Sequence, residues 1–223
     1  MPITKTIVCL ANSRKMSGRC LAGKVVKQGG FGEWIRPVSA RESQEVSEEE
    51  RRYEDGADPK LLDVVQVELL ASRPHAHQSE NYVIDTQYYW KRKGKVSWSA
   101  IQSAVDHPST LWINGNHSYN GLNDRVPEVD ARGLRGSLLL IRPQNCMISA
   151  AIEGGQYRKR KVRTTFEYNN EKYAIAVTDP VIEREFLGKE NGEYQIGEAL
   201  LCVSLGEPYQ GYCYKLVAAV IRP

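Results

Sequence analysis

The sequence predicts a mainly β protein built as two small barrels in tandem, with a few short helices. Three observations lead there. The apolar stretches are short and rich in β-branched residues, residues 61–70 with Val64, Val65 and Val67 being the longest early example. Turn residues punctuate them, Gly29-Gly30 and Asn169-Asn170 among others. Once the Asn-, Gly- and Pro-rich stretch 106–136 is set aside, roughly 100 residues remain on either side, enough for a five-stranded barrel with insertions.

Taken in chain order, residues 6–10 form a short apolar strand. Residues 19–27 form a second, ending at Gly29-Gly30, and 34–37 a third, stopped by Pro37. Residues 61–70 supply the next. In the second half the strand candidates are 137–142, 145–152, 161–168, 171–177 and 212–221, with Asn169-Asn170 as a two-residue hairpin turn. Helices are expected at 47–53, where Ser47 and Glu50 have capping-box spacing, at 97–105, and at 180–187 behind Thr178-Asp179. A loop as long as 106–136 is functional or a linker more often than a passive connection. The expected division is therefore 1–110 for a first barrel carrying an acidic insertion, 111–136 for a linker, and 137–223 for a second barrel.

Composition sets the class. With 41% hydrophobic and 26% charged residues, the chain has the apolar content of a globular protein rather than a disordered one. The longest fully apolar run, 216–221, is far short of the ~20 residues that span a bilayer, so no membrane association is expected. The start does not have the pattern of a secretory signal, and five cysteines without a Cys-x-x-Cys pair read as reduced cytoplasmic thiols.

The net charge of +3 hides strong local asymmetry. Residues 1–37 carry seven cations against Glu33 alone, whereas 42–58 carry eight acids against Arg51 and Arg52. Further basic clusters lie at 91–95 and 158–163. Patches of this kind attract polyanions when they share a surface.

Several constellations could carry chemistry. Asn12 and Ser13, with Arg14, Lys15 and Arg19 around them, suit an anion such as phosphate. Trp34 and Arg36 share one strand face, where an indole could stack a base and a guanidinium contact phosphate. Tyr212 and Tyr214 alternate along the last strand and could stack bases beside Lys215. Strand alternation through 158–168 puts Val162 and Phe166 inside and Lys159, Lys161 and Arg163 in an outward row, ~7 Å apart. In the 106–136 stretch, Trp112-Ile-Asn-Gly and Asn123-Asp-Arg125 supply amides, an acid and a cation on a loop.

A second constellation joins His75, His77, Glu80 and Asn81. Cys20 and His77 are a nucleophile-and-base pair only if the fold brings them together. No His or Cys recurs at zinc spacing, so no metal is expected, and the absence of a Walker or dinucleotide motif leaves no cofactor to predict. If the 12–20 and 75–81 clusters face one another, they form one pocket lined by Asn12, Ser13, Cys20, Arg36, His77, Glu80 and Asn81.

The blocks at 5–15, 18–20 and 34–39, with the shorter ones at 61–65, 77–81, 177–180 and 214–218, resemble the dual OB-containing domain family of bacterial proteins. That resemblance implies two OB-like barrels over essentially the whole chain. By association it implies a role with nucleic acid, in defence against mobile elements, and it carries over no catalytic residues. The leading expectation is binding of single-stranded DNA or RNA through Arg14, Lys15, Arg19, Trp34, Arg36, Lys159, Lys161, Arg163, Tyr212 and Tyr214. The alternatives are a nucleotide-binding enzyme or sensor at the pocket just described, and a scaffold that binds a basic protein through the acidic 42–58 segment.

Overall fold

The computed structural model describes residues 3–154 and 158–223. The chain divides into two compact units, 1–104 and 105–223. In the first, strands β1 (Ile3–Lys15), β2 (Gly18–Lys27), β3 (Gly30–Val38), β4 (Asp63–Ser72) and β5 (Asn81–Ile84) are ordered β1-β2-β3-β5-β4, and β4 pairs back onto β1. The β3–β5 pairing is parallel and the others are antiparallel. This is the closed circuit expected of an OB-like barrel. One strand reaches both neighbours because β1 is long: residues 3–8 pair with β4 and residues 7–15 with β2.

Ile7, Cys9, Leu21, Ile35, Val65, Val67, Leu69 and Ile84 fill the interior. The connection between β3 and β4 holds helix α1 (Glu48–Arg51), whose N-terminus has the expected reciprocal Ser47–Glu50 capping box. A further strand, β6 (Lys91–Lys95), extends the sheet beyond β4. All five of its residues are exposed, and a register shift leaves Lys93 as an extra residue. Charge and a bulge on an edge strand block pairing with another sheet, which accounts for this basic run without any ligand. Helix α2 (Trp98–Ile101) and one 3₁₀ turn close the unit.

The second unit repeats the circuit in another form. It contains β7 (Arg125–Pro127), α3 (Glu128–Ala131), β8 (Leu138–Ile141), β9 (Gln144–Glu153), β10 (Lys159–Tyr168), β11 (Glu171–Val177), α4 (Pro180–Leu187), β12 (Gly192–Gln195), β13 (Leu200–Tyr209) and β14 (Tyr212–Ile221). Its path runs β9-β10-β11-β14-β13-β8, with β11 and β14 parallel. The two ends, β8 and β9, are consecutive in the chain and separated only by Arg142 and Pro143. Together they take the place of β1, one half pairing with β13 and the other with β10. Pro143 cannot donate to a ladder, which explains why this strand is divided.

Core alternation along β10 is as the sequence predicts. Val162, Thr164, Phe166 and Tyr168 are buried, and Phe166 stacks on Tyr173 with ring centroids 5.2 Å apart. Asn169 and Asn170 take positive φ and close the expected hairpin. Asp179 caps α4 through the amides of Val181 and Ile182, and its other oxygen accepts from the Val220 amide, tying helix to strand.

Residues 105–136 belong to the second unit and are built into it, where the sequence suggested a linker over 111–136. Leu111 is in the core, Trp112 Nε1 donates to Gly136 O, and Leu122 bridges to Ala174. β7 pairs with β14, and Val126 packs on Leu205 and Cys213. Among the described residues, no helix is long and apolar enough to cross a membrane.

Candidate nucleic-acid interface

In the first barrel the polar residues singled out in the sequence serve largely as structure. Arg36 is 3% exposed and pairs with Glu80 at 3.3 Å. It also donates to Asn81 Oδ1, while the Asn81 amide bonds Gln44 and Gln78. His77, Glu80 and Asn81 are all buried. Arg36, expected to contact phosphate, is thus buried and ion-paired to Glu80 instead of standing on the surface. Trp34 is half-buried with the Lys24 ammonium 5.3 Å from its ring, and that ammonium donates to Ala104 O.

The 12–20 cluster is the β1–β2 hairpin. Asn12 Nδ2 donates to Pro59 O, Ser13 Oγ to Cys20 O, and the Arg19 backbone bridges Val46. Arg14 stands exposed at its tip, with Lys15, Arg19 and Cys20 partly covered. Residues 44–46 touch both clusters, through Arg19 on one side and Asn81 on the other.

None of the five cysteines is in a disulfide, and burial pushes the Cys9 and Cys146 thiols up to about 12 and Cys213 to about 11. Those three are packing residues.

Much of the acidic segment is internally engaged. Glu45 accepts from Ser17, Glu50 from Ser39, Arg41 and the Ser47 amide, and Asp58 from Arg51. Glu42, Glu48, Glu49, Glu54 and Asp55 remain exposed.

The second barrel has a different surface. A cleft of about 420 Å³ opens on the outer side of β10, β11 and β14, lined by Lys161, Arg163, Ala176, Tyr214 and Leu216. Glu153 and Gly154 border it on one side, and the loop residues Ser118, Tyr119, Asn120 and Asp124 on the other. Lys159 and Lys161 are exposed, as alternation predicts.

Arg163, the third member of that row, is largely covered. Its Nε and Nη2 donate to Glu153 at 2.6 and 3.1 Å, and Nη1 lies 3.8 Å from Asp124. Its charge is committed to carboxylates, so it is the floor of the cleft rather than a free phosphate contact. Asp124 is fixed by the Ser118 amide and hydroxyl. A Cβ on Gly121 would collide with the Asp124 carboxylate, so a larger residue there would displace Asp124.

The loop is also held from below. Lys215 points inward, 1% exposed, and donates to Ile113 O at 2.9 Å and Asn114 Oδ1 at 3.1 Å. Burial lowers it from 10.5 to about 7, against the pull of Asp124. Tyr173 OH accepts from Asn114 Nδ2.

Tyr214 forms one wall of the cleft, its ring 6.5 Å from that of Tyr209. The neighbouring Tyr212 has the Arg125 guanidinium 3.9 Å above its ring. Tyr119 is fully exposed and Tyr209 63% exposed, so aromatic surface faces solvent beside the lysines.

The structure thus gathers Lys159, Lys161, Arg163 and Tyr214 on one face. Glu153, Ser118, Tyr119 and Asn120 are site residues that sequence reasoning does not single out. In the sequence Asp124 stands out only as an acid on a loop, and nothing local marks Glu153, whose place depends on its pairing with Arg163 across β9 and β10.

Residues 5–220 match the family described as the dual OB-containing domain. No curated protein matches the chain. A solved structure of a murine DNA binding protein bound with double-stranded DNA aligns over 100% of both chains, at 10% identity and a TM-score of 0.34.

Proposed function

We propose, from the premise that the chain belongs to the dual OB-containing domain family, that its second barrel binds single-stranded nucleic acid on the outer face of β10, β11 and β14. One observation carries the reading: exposed Lys159 and Lys161 stand beside a cleft walled by Tyr214, with Tyr119 and Tyr209 presented to solvent nearby. A single strand needs cations spaced along its backbone and aromatic faces for unstacked bases, and this surface offers both. In OB folds the same side of the barrel, between the strand 1–2 and 4–5 loops, is the one that receives oligonucleotides.

A fluorescence anisotropy titration tests the reading. Labelled single strands should bind tighter than duplexes of equal length, and affinity should fall steeply between about 50 and 200 mM salt. Binding to neither form, or binding that ignores salt, removes it.

A further inference from the structure

We infer that the cleft of the second barrel seats a nucleobase carrying an exocyclic amino group, while phosphates stay on its rim. This rests on the reading of that face as a nucleic-acid surface. The cations deepest in the cleft are already engaged, with Arg163 set against Glu153 and Asp124. Arg163 is engaged in a two-point bond to Glu153, and the Lys215 ammonium is turned away onto Ile113 O and Asn114 Oδ1. A phosphate pushed into this space would meet two carboxylates. On the rim, Lys159 and Lys161 offer it cations without that opposition.

The chemistry of the floor then selects among bases. A carboxylate is an acceptor at every lone pair. Glu153 accepts one bond from Arg163 at each oxygen, and Asp124 accepts from the Ser118 amide and hydroxyl, so both carboxylates of the lining retain acceptor capacity. Cytosine, adenine and guanine bring an amino donor to such a floor, and Glu or Asp accepting from cytosine N4 is an established pairing. Thymine and uracil bring a carbonyl oxygen to the same place, where it opposes the carboxylates. A cleft of about 420 Å³ is within the range of small-molecule sites.

Equal-length oligo-dC, oligo-dA and oligo-dT, titrated at neutral pH and two salt concentrations, decide the matter. Oligo-dC and oligo-dA should bind about tenfold tighter than oligo-dT with the same dependence on salt. An oligomer of pyrimidin-2-one, which is cytosine without its amino group, should fall to the oligo-dT level, and this arm needs no change to the protein. Glu153→Gln should narrow the difference between oligo-dC and oligo-dT. Equal affinity for oligo-dC, its pyrimidin-2-one analogue and oligo-dT overturns the inference while leaving nucleic-acid binding intact. Failure of every strand to bind overturns the reading beneath it as well.

Discussion

Arg36 of the first barrel and Arg163 of the second are similar in sequence, each an arginine on a strand beside an aromatic or basic neighbour. Both prove to be ion-paired, Arg36 to Glu80 and Arg163 to Glu153. Their surroundings differ, Arg36 lying on β3 and Arg163 on β10, which takes the place of β2. Between β4 and β5 of the first barrel the chain runs through 73–80, where His77, Gln78 and Glu80 are buried and Glu80 pairs with Arg36. The corresponding strands of the second barrel, β13 and β14, are joined by a two-residue turn, Gln210–Gly211, with positive φ at both positions. That turn is too short to fold back over the sheet. The arginine of the first barrel is thus a sealed pair and that of the second lines an open cleft.

The largest expected effect comes from breaking the sealed pair. Removing one partner of a buried ion pair leaves the other charge uncompensated, at a cost of about 3–5 kcal/mol. Arg36→Ala should lower stability by that order in urea denaturation. Provided the folded fraction is measured, its affinity for single strands should match the parent. Lost affinity in folded Arg36→Ala would put the first barrel into the binding surface and erase the contrast between the two arginines.

The next effect is a pH dependence from the second barrel. Lys215 releases its proton near pH 7 when folded but near 10.5 when unfolded. Between those values the unfolded chain holds the extra proton, so stability rises with pH, by at most about 1.4 kcal/mol per unit. Below pH 7 both states are protonated and the contribution is flat. Above pH 9 the buried thiols act in the opposite sense, since Cys9, Cys146 and Cys213 are raised from 9.0 and the unfolded chain loses those protons first. The rise is thus confined to about pH 7–9. Chemical denaturation across that range should show it, and Lys215→Met should abolish it. A rise that persists in the variant would assign it to another group.

Much of this architecture is legible in the sequence because strand alternation is local. The burial of Val162 and Phe166, the exposure of Lys159 and Lys161, the Asn169-Asn170 turn and the Ser47 capping box all follow from neighbours within a few residues. Features that depend on pairing across distance are not legible in the same way. The strands β5, β6, β7 and β12 have short or broken apolar patterns and are held by their partners in the sheet. The 106–136 stretch reads as a linker because its anchors, Lys215, Tyr173 and Lys172, lie far along the chain. The site follows the same rule: in the sequence Arg163 reads as free until Glu153 is set against it, and Arg36 until Glu80 is.

The smallest effect on the fold is the sharpest test of where a strand binds. Both barrels display exposed lysines on a strand, Lys91, Lys93 and Lys95 on β6 and Lys159 and Lys161 on β10. The first set lies on a bulged edge strand, where charge guards against sheet-to-sheet pairing; the second lies beside the cleft. Each lysine that neutralises a phosphate of a single strand contributes roughly 0.7 to the slope of log K against log salt. Lys159→Ala with Lys161→Ala should therefore flatten the slope by about 1.4. Substitutions at such exposed sites usually move stability by less than ~0.5 kcal/mol. Lys91→Ala, Lys93→Ala and Lys95→Ala together should leave the slope where it was. An equal flattening from both sets would mean that the strand runs over both barrels, and an unchanged slope in the β10 variant would reduce its lysines to a solvated face.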